Sequence, residues 1–467
     1  MLSLRDVVQA TDGDLSGAAG GPDVPLTRVV VDSRQVQAGA LFVALRGQKH
    51  DGHAFVAQAL ADGAAGALVE RIPPDCAAGP PLVVVPSTQK GLEAMARWAF
   101  DHHPGLDVVG ITGSVGKTTT KEVVAGVLAR TRSVLKSEGN LNSEIGLPLT
   151  VLNGLRPEHE VAVLEMGMYQ PGDIRLLARL ARPRIGVVTT VQPVHLERLG
   201  TIERIAGTKR ELVEELPADG GVAVLNRDDA RVAAMAAASL ARVVHYGLAD
   251  DADVRAEQIE SHGLKGVEFD LVVRGSRGRH VRLPLLGAQS VHAALAATAV
   301  GIEEGMTLDD VAEALHQLTP TLRLLVVDGI NGSRIIDDSY NASPESVMAA
   351  LALLRELPGQ RKVAVLGDML ELGSEEEPGH RRVGTRAAHV VQLLIAYGPR
   401  SRTTAEAARR AGLAADQIVQ AADLGEIAEL LRRRLRPGDD VLVKGSLGMG
   451  MATLVRALRA EAEGAEG

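Results

Sequence analysis

The chain has 467 residues, enough for roughly three domains of common size, each able to bury its own core. Lys and Arg number 50 against 59 Asp and Glu, a net charge of −9, which leaves no long basic stripe for a nucleic-acid partner. There is no run of about eighteen apolar residues, acids follow closely on the N-terminus, and Cys76 is the one cysteine, so a membrane span, a secretion signal, an internal disulfide and a cysteine-built metal site are not expected; a cytoplasmic monomer is.

In chain order, residues 1–105 offer the strand runs "RVVVD" and "ALFVAL", the helix-like "HAFVAQALADG", then "GALVE" and "PLVVVP". "TQKGLEAMARWAFDHH" closes the block as an amphipathic helix with Leu92, Met95, Ala96 and Ala99 on one side, stopped by Pro104-Gly105. Residues 106–318 alternate the buried-strand runs "DVVGIT", "VAVLEMG", "IGVVTTV" and "GVAVLN" with helices starting near Lys117, Asp173, Ile202 and Asp229. Parallel strands need such crossovers, so a parallel sheet covered on both faces is predicted. From Asp251 to Leu286 charged and apolar residues alternate between Gly turns, which predicts hairpins at that sheet's edge. Residues 319–467 hold "RKVAVLGDM", "VQLLIAYG", "DQIVQAA" and "DDVLVKGS" with helices between them, a second and smaller open α/β sheet. "GSEEEPGH" near Glu375 reads as a solvated loop and "RRRLRP" near Arg432 as an exposed helix end.

The stretch Gly110–Glu122, "GITGSVGKTTTKE", carries the strongest chemical signal. A strand that ends in a Gly-rich turn and feeds a helix aims backbone N–H groups and the positive helix end at an anion. Thr112, Gly113, Ser114, Val115, Gly116 and Thr119 would line a triphosphate, with Lys117 on its terminal phosphates and the Thr118 hydroxyl on Mg²⁺. The strict P-loop pattern has Gly where Ile111 stands. Ligands of an open α/β sheet lie beyond the carboxyl ends of its strands, where Glu165 of "VAVLEMG" and His195 of "VQPVHLERLG" also fall. Lys209, inside the helical pattern "IERIAGTKRELVEEL", reads on composition alone as an exposed helix lysine.

"GITGSVGKTTTKE", "EGNLNSEIGLPLT", "EMGMYQPGDI", "HLERLGTIERIAGTK", "IIDDSYNASPESVMAAL", "VLGDMLELG" and "VKGS" follow one another in an order that resembles the Mur ligases of peptidoglycan synthesis, over nearly the whole chain. The resemblance implies an N-terminal α/β domain for a uridine nucleotide (1–105), a central P-loop ATPase domain (106–318) and a C-terminal Rossmann-like domain (319–467). It implies that Lys117 and Thr118 hold ATP and Mg²⁺, that Glu165 ligates a first metal ion, and that His195 and a carbamylated Lys209 serve a second. Asn140 of "GNLN" would sit near the γ-phosphate, Arg323 near the phosphates and Asp338 near the ribose, with Asn341 and Lys444 in the same closed site. Ser33, Arg34 and the Asp51-Gly52-His53 run would position the uridine nucleotide. The Asn-Pro-Arg signature for a diamino acid is missing, and "DSYNASP" from Asp338 to Pro344 stands in its region. That favours the branch that joins D-alanyl-D-alanine to a UDP-N-acetylmuramoyl-tripeptide through an acyl phosphate. A relative with the same loop and lysine, folylpolyglutamate synthase, starts close to its ATP domain and lacks the N-terminal block. Two departures stand out: "GAQSVHAALAA" puts Gln289, Ser290 and His292 where the family usually has His and Asn residues near adenine, and Leu447 takes a place where a basic residue is common.

Overall fold

The computed structural model describes residues 2–17, 23–47, 50–76, 81–194, 196–287, 289–319 and 325–460. Among the described residues, twenty strands fall into three sheets that follow one another along the chain. The first has β1 (Asp14–Ser16), β2 (Arg28–Val30), β3 (Ala40–Val43), β4 (Gly66–Val69) and β5 (Leu82–Val84), in the order β1-β5-β4-β3-β2. Only β1 runs antiparallel to its neighbour. Leu92, Met95 and Ala96 of the helix Thr88–Asp101 are buried as the periodicity predicts, with Ala99 packed partly behind them.

The central sheet takes β6 (Asp107–Thr112), β7 (Val134–Lys136), β8 (Val161–Glu165), β9 (Ile185–Val188), β10 (Val222–Asn226), β11 (Arg242–Gly247), β12 (Val254–Ser261), β13 (Val267–Val273) and β14 (Arg279–Leu283). Its order is β14-β13-β12-β11-β10-β9-β6-β8-β7, parallel from β7 through β12 and antiparallel in the β12–β14 hairpins, the edge that the alternating segment predicts. Both faces are covered. Val123, Val124 and Val127 of the helix Lys117–Leu128 pack with Ala294 and Leu295 of the helix Ser290–Glu303 on one face, and Ile174, Leu177, Ile205 and Leu212 pack on the other. The helix expected near Asp229 is a single turn, Ala230–Ala233, continued as 3₁₀.

The third sheet holds β15 (Leu325–Asp328), β16 (Arg334–Asp338), β17 (Arg361–Gly367), β18 (Leu393–Tyr397), β19 (Ile418–Ala421) and β20 (Asp439–Lys444), ordered β15-β16-β20-β17-β18-β19. It is parallel except at β15. "GSEEEPGH" is not a loop throughout: Gly373–Glu375 form a 3₁₀ turn and Glu376 opens the helix Glu376–Ala388. The acids suit the positive end of a helix, and a proline is tolerated in the first turn. Arg432–Arg434 do end a helix and are exposed.

Candidate active site

The apolar run of β6 ends at Thr112, and the chain turns through Gly113 and Gly116, both at positive φ (149° and 89°), before the helix begins at Lys117. A Cβ at Gly113 would lie 1.8 Å from Thr189 Oγ1, so the close approach of loop and β9 end requires glycine there. The departure from the P-loop pattern is local, since Ile111 is a fully buried residue of the strand. The loop is held from outside: Ser114 N donates to Thr190 O (2.8 Å), Val115 N to Thr190 Oγ1 (3.2 Å), and Thr189 Oγ1 to Val115 O (2.7 Å). No side chain caps the helix start at Gly116, so its first N–H groups point into an opening with no partner from a cap. Lys117 Nζ folds back onto Gly113 O (2.8 Å), the carbonyl of the loop it would leave to reach a phosphate.

Beside the loop, β8 delivers Glu165, 2 % exposed, whose carboxylate accepts from Thr118 Oγ1 (2.7 Å) and from Asn142 Nδ2 (2.9 Å). Its backbone N donates to Ser137 Oγ (3.1 Å), and Lys121, fully buried, donates from Nζ to Ser137 O (2.6 Å). The sequence reading singled out Asn140 of "GNLN"; the structure puts Asn140 in the cavity wall but gives the contact with Glu165 to Asn142, which also accepts Gly167 N at 2.8 Å. A carboxylate with a hydroxyl beside it on rigid elements is a hard oxygen donor set of the kind Mg²⁺ takes together with phosphate oxygens and water.

Lys209, expected from composition to be exposed, is 2 % exposed. Ile205, Thr208 and Leu212 share its helix face and are buried with it, the i, i+3, i+4, i+7 set of a core stripe. Burial first, and the charge of nearby Lys117 second, push its amine well below the ordinary lysine range. Met168 Sδ lies 3.8 Å from Nζ.

These groups line one cavity of about 870 Å³ between the central and C-terminal sheets. Of the residues the sequence singled out, Gly113, Ser114, Val115, Gly116, Lys117, Thr118, Thr119, Asn140, Glu165, Lys209, His292, Asp338, Asn341 and Lys444 meet there. Thr112 does not: it is fully buried with its hydroxyl on Met166 O (2.9 Å). From the C-terminal side Lys444 Nζ, 3 % exposed along its side chain, donates to Asp338 Oδ2 (2.6 Å) and Asn341 O (2.8 Å). His292 Nε2 pairs with Asp228 Oδ2 at 2.7 Å. Burial works to raise the Asp228 pKa, but this pair and the N–H groups of Leu248 and Ala249 outweigh it and hold the group below the usual carboxylate range. His195 and Arg323 fall outside the described residues.

Ser33, Arg34, Asp51, Gly52 and His53 are all in the N-terminal domain and not in this cavity. Arg34 pairs with Asp32 (2.6 Å). His53 is buried, with Nδ1 on Asp51 Oδ1 (2.6 Å) and Nε2 accepting Glu70 N (2.8 Å), so its ring is used by the fold. The guanidinium of Arg71, followed by the N–H and ring of His53, holds the Asp51 carboxyl far below its ordinary range. At Gly52 a Cβ would come within 2.7 Å of Leu45 O, which explains the glycine as a packing requirement.

A phosphate loop, a strand-end carboxylate and a buried lysine facing one interdomain cleft define an ATP-dependent α/β enzyme whose site is shared by two domains. Family models for the Mur ligase family catalytic domain match residues 25–97, for the Mur ligase middle domain 111–301, and for the Mur ligase glutamate ligase domain 322–447, and the chain belongs to the Mur ligase family. It is 35 % identical over 460 residues, 98 % of each chain, to UDP-N-acetylmuramoyl-tripeptide–D-alanyl-D-alanine ligase of Bacillus subtilis. A crystal structure of MurF from Acinetobacter baumannii superposes with a TM-score of 0.85 at 31 % identity, over 97 % of this chain and 98 % of that one. MurF ligase from Thermotoga maritima, solved in complex with ADP, does so with a TM-score of 0.79 at 31 % identity, over 92 % and 96 %.

Proposed function

We infer that the chain uses ATP to join D-alanyl-D-alanine to a UDP-N-acetylmuramoyl-tripeptide, releasing ADP and phosphate, in the building of cytoplasmic peptidoglycan precursor. The observation that carries this is the convergence of Lys117, Thr118, Glu165 and Lys209 on one cavity, in a chain that matches such ligases end to end.

Condensing a carboxylate with an amine in water is uphill, so the carboxylate is activated first. The terminal carboxylate of the tripeptide attacks the γ-phosphorus in line with the departing ADP oxygen, giving an acyl phosphate; the dipeptide amine then attacks the acyl carbon, phosphate leaves and the amine proton is lost. At ~4 Å the two reacting anions repel by about 4 kcal/mol per pair of unit charges at an effective dielectric of 20. Lys117, once released from Gly113 O, and the N–H groups at the start of its helix would meet the triphosphate and offset this repulsion with positive charge. Glu165 and Thr118 would hold Mg²⁺ there, and Lys209 would serve a second ion; the part of His195 in that second site rests on the family resemblance alone. Mg²⁺ supplies charge neutralisation of the γ-phosphate. Asn142, Ser137 and Lys121 fix the rotamer and height of Glu165.

Lys209 has the environment that carbamylation needs. A lysine pushed toward its neutral form keeps the nitrogen lone pair that bonds to CO₂; the N–C bond would form, one proton would leave to solvent, and a neutral amine would become an anion beside Lys117. The C-terminal domain supplies the far wall through Asp338, Asn341 and Lys444, which on closing would keep water from the acyl phosphate.

The test mixes protein, ATP, Mg²⁺, the nucleotide tripeptide and D-Ala-D-Ala and follows phosphate release while leaving out one component at a time. Release is expected with the full mixture alone. Undiminished release without the dipeptide would refute the ligase reading and leave an ATPase.

A further inference from the structure

Among the described residues four cationic side chains line the cavity: Lys117, Arg198, Lys209 and Lys444. Three are accounted for. Lys117 belongs to the phosphate loop, Lys209 is buried and pushed toward neutrality, and Lys444 is closed in by Asp338 and Asn341 O. Arg198, on the short helix Leu196–Leu199, keeps 47 % of its side chain exposed and has no task in the chemistry above. Its guanidinium carbon lies 4.8 Å from the centre of the Tyr169 ring, which follows β8. Its Nη2 donates to Glu371 Oε1 at 2.8 Å, a carboxylate delivered from the C-terminal domain after β17. Glu371 has a left-handed backbone (φ 62°), a strained setting for a residue with a Cβ, so its approach to Arg198 is fixed by the surrounding chain.

A planar guanidinium stacked on an aromatic ring and facing a cavity is built to receive a carboxylate through its fork of five N–H donors. The dipeptide in the proposed reaction brings a carboxylate that does not react, at its C-terminal end, and a tripeptide with an acidic side chain would bring another. We propose that Arg198 binds a non-reacting carboxylate of a peptide substrate, and that Glu371 is the resident carboxylate with which the substrate exchanges. This rests on the reaction inferred above and adds the residue that reads one of its substrates. The pair Arg198–Glu371 also bridges the central and C-terminal domains, so taking up substrate loosens one contact between them while the cavity fills.

The experiment is steady-state kinetics on the full chain with each substrate varied in turn, for wild type, Arg198→Met, Arg198→Lys and Glu371→Gln, using D-Ala-D-Ala and its C-terminal amide as probes. Methionine keeps the unbranched apolar stem out to the ε position, with a thioether that suits an aromatic neighbour, and removes the guanidinium and its charge. The expected result is a KM raised about 10- to 100-fold for one peptide substrate in Arg198→Met, the span a lost charge-assisted hydrogen bond produces, with KM for ATP unchanged and partial recovery in Arg198→Lys. If the dipeptide supplies the carboxylate, wild type prefers acid over amide by a similar factor and Arg198→Met loses that preference. If the tripeptide supplies it, KM for the nucleotide substrate rises and the acid/amide ratio stays at the wild-type value. Glu371→Gln is expected to lower the same KM about 1.5- to 5-fold, the scale of an exposed ion pair. Unchanged KM for both peptides in Arg198→Met, a parallel rise in KM for ATP, or an unchanged or raised KM in Glu371→Gln overturns the proposal. Wild type that fails to turn over the two peptides at all refutes the reaction instead, so the two failures are distinct.

Discussion

Removing the Asn153 side chain amide should loosen the N-terminal domain from the rest of the molecule. β2 is an edge strand, and an edge leaves backbone donors and acceptors unpaired. Asn153, in the helix Gly146–Gly154 of the central domain, satisfies both groups of one residue on that edge: Val29 N donates to Asn153 Oδ1 (2.7 Å) and Asn153 Nδ2 donates to Val29 O (2.9 Å). Val29 is 2 % exposed, so in Asn153→Ala its two polar groups lose their partner where solvent is scarce. At about 1–3 kcal/mol for each orphaned group, and with water reaching the half-buried Asn153 position to recover part of it, the net cost is about 2–3 kcal/mol. A urea slope of about 1.2 kcal/mol per M for a domain near a hundred residues converts this into a midpoint lower by about 2 M. The chain's single tryptophan, Trp98, stacks on His102 at 3.9 Å in the helix Thr88–Asp101, which packs against the same central helix, so its fluorescence reports this interface directly. Asn153→Asp, which keeps the acceptor for Val29 N but sets a carboxylate against Val29 O, should fall no higher than midway between wild type and Ala. A midpoint shift below about 0.3 M in Asn153→Ala would show that the two hydrogen bonds are replaced at no cost and that the clamp is not what holds the edge.

Three further outcomes follow from the geometry. Glu165→Gln keeps an acceptor for Thr118 Oγ1 and the packing of β8 but removes the charge and turns an NH₂ on Asn142 Nδ2, so phosphate release should fall by at least about 100-fold while the unfolding free energy falls by no more than about 1–3 kcal/mol, measured by activity and urea denaturation side by side. ¹³C-bicarbonate added to wild type should give a carbamate carbon signal by NMR that is missing from Lys209→Ala; a signal of equal size in both proteins would place the modification elsewhere. His380 is buried, its Nε2 accepts Met369 N (3.2 Å) and its Nδ1 donates to Glu376 O (2.8 Å); burial first, and the charge of Arg400, depress its pKa against the opposing pull of Glu376 and Asp368. A depressed histidine pKa means the unfolded chain binds the extra proton, so this stability is whole above about pH 6.5 and is lost as pH falls from there toward the folded-state value. Unfolding midpoints measured from pH 7.5 to 5 should show that loss in wild type and a smaller slope in His380→Gln.

What the sequence discloses of this molecule follows from how local each signal is. The phosphate loop is legible because strand, glycines, lysine and helix start are adjacent, and the strong apolar runs of β6, β8, β9 and β10 announce themselves for the same reason. β7 has three residues, and β16 carries "RIIDD", where two acids and an arginine dilute a strand that is nevertheless central to pairing with β20. Asn140 and Asn142 share one turn after Gly139, and which of the two amides reaches Glu165 is decided by β8, 23 residues further on from Asn142, so the choice has no local mark. For Lys209 the mark was present: Ile205, Thr208 and Leu212 define its face as buried, and residue type pointed the other way. The rule that lysines are exposed fails where a helix face of buried neighbours carries the lysine into the core with it. No periodicity could have found Arg198, since its neighbours in space, Tyr169 and Glu371, come from strand ends of two different sheets.

The two interdomain contacts are made of different material, and that difference bears on the reaction. Ile145, Leu149 and Leu152 of the central domain pack into the same apolar cluster as Leu4, Val29, Leu92 and Met95, and the Asn153 clamp adds direction, so the N-terminal domain is joined by burial. Across the cavity the C-terminal domain is met by Arg198–Glu371, by Ser261 Oγ on Glu356 Oε2 (2.5 Å), by the backbone of Leu196 and Glu197 against Gly373, where a Cβ would come within 3.0 Å of Glu197 N, and by one half-buried apolar side chain, Leu286, against the C-terminal apolar cluster. Exposed polar pairs of this kind hold by about 0–1 kcal/mol each, whereas every buried leucine contributes about 1.5–3. A nucleotide precursor seated on the N-terminal domain would therefore keep a constant position relative to Glu165, because the segment from Asn142 to Asn153 touches both. Among the described residues the half that carries Asp338 and Lys444 has the weaker contacts, the ones expected to yield first. An enzyme that must admit three substrates and then exclude water needs that division, with the acceptor carboxylate fixed beside the phosphate loop and the mobile wall on the other side.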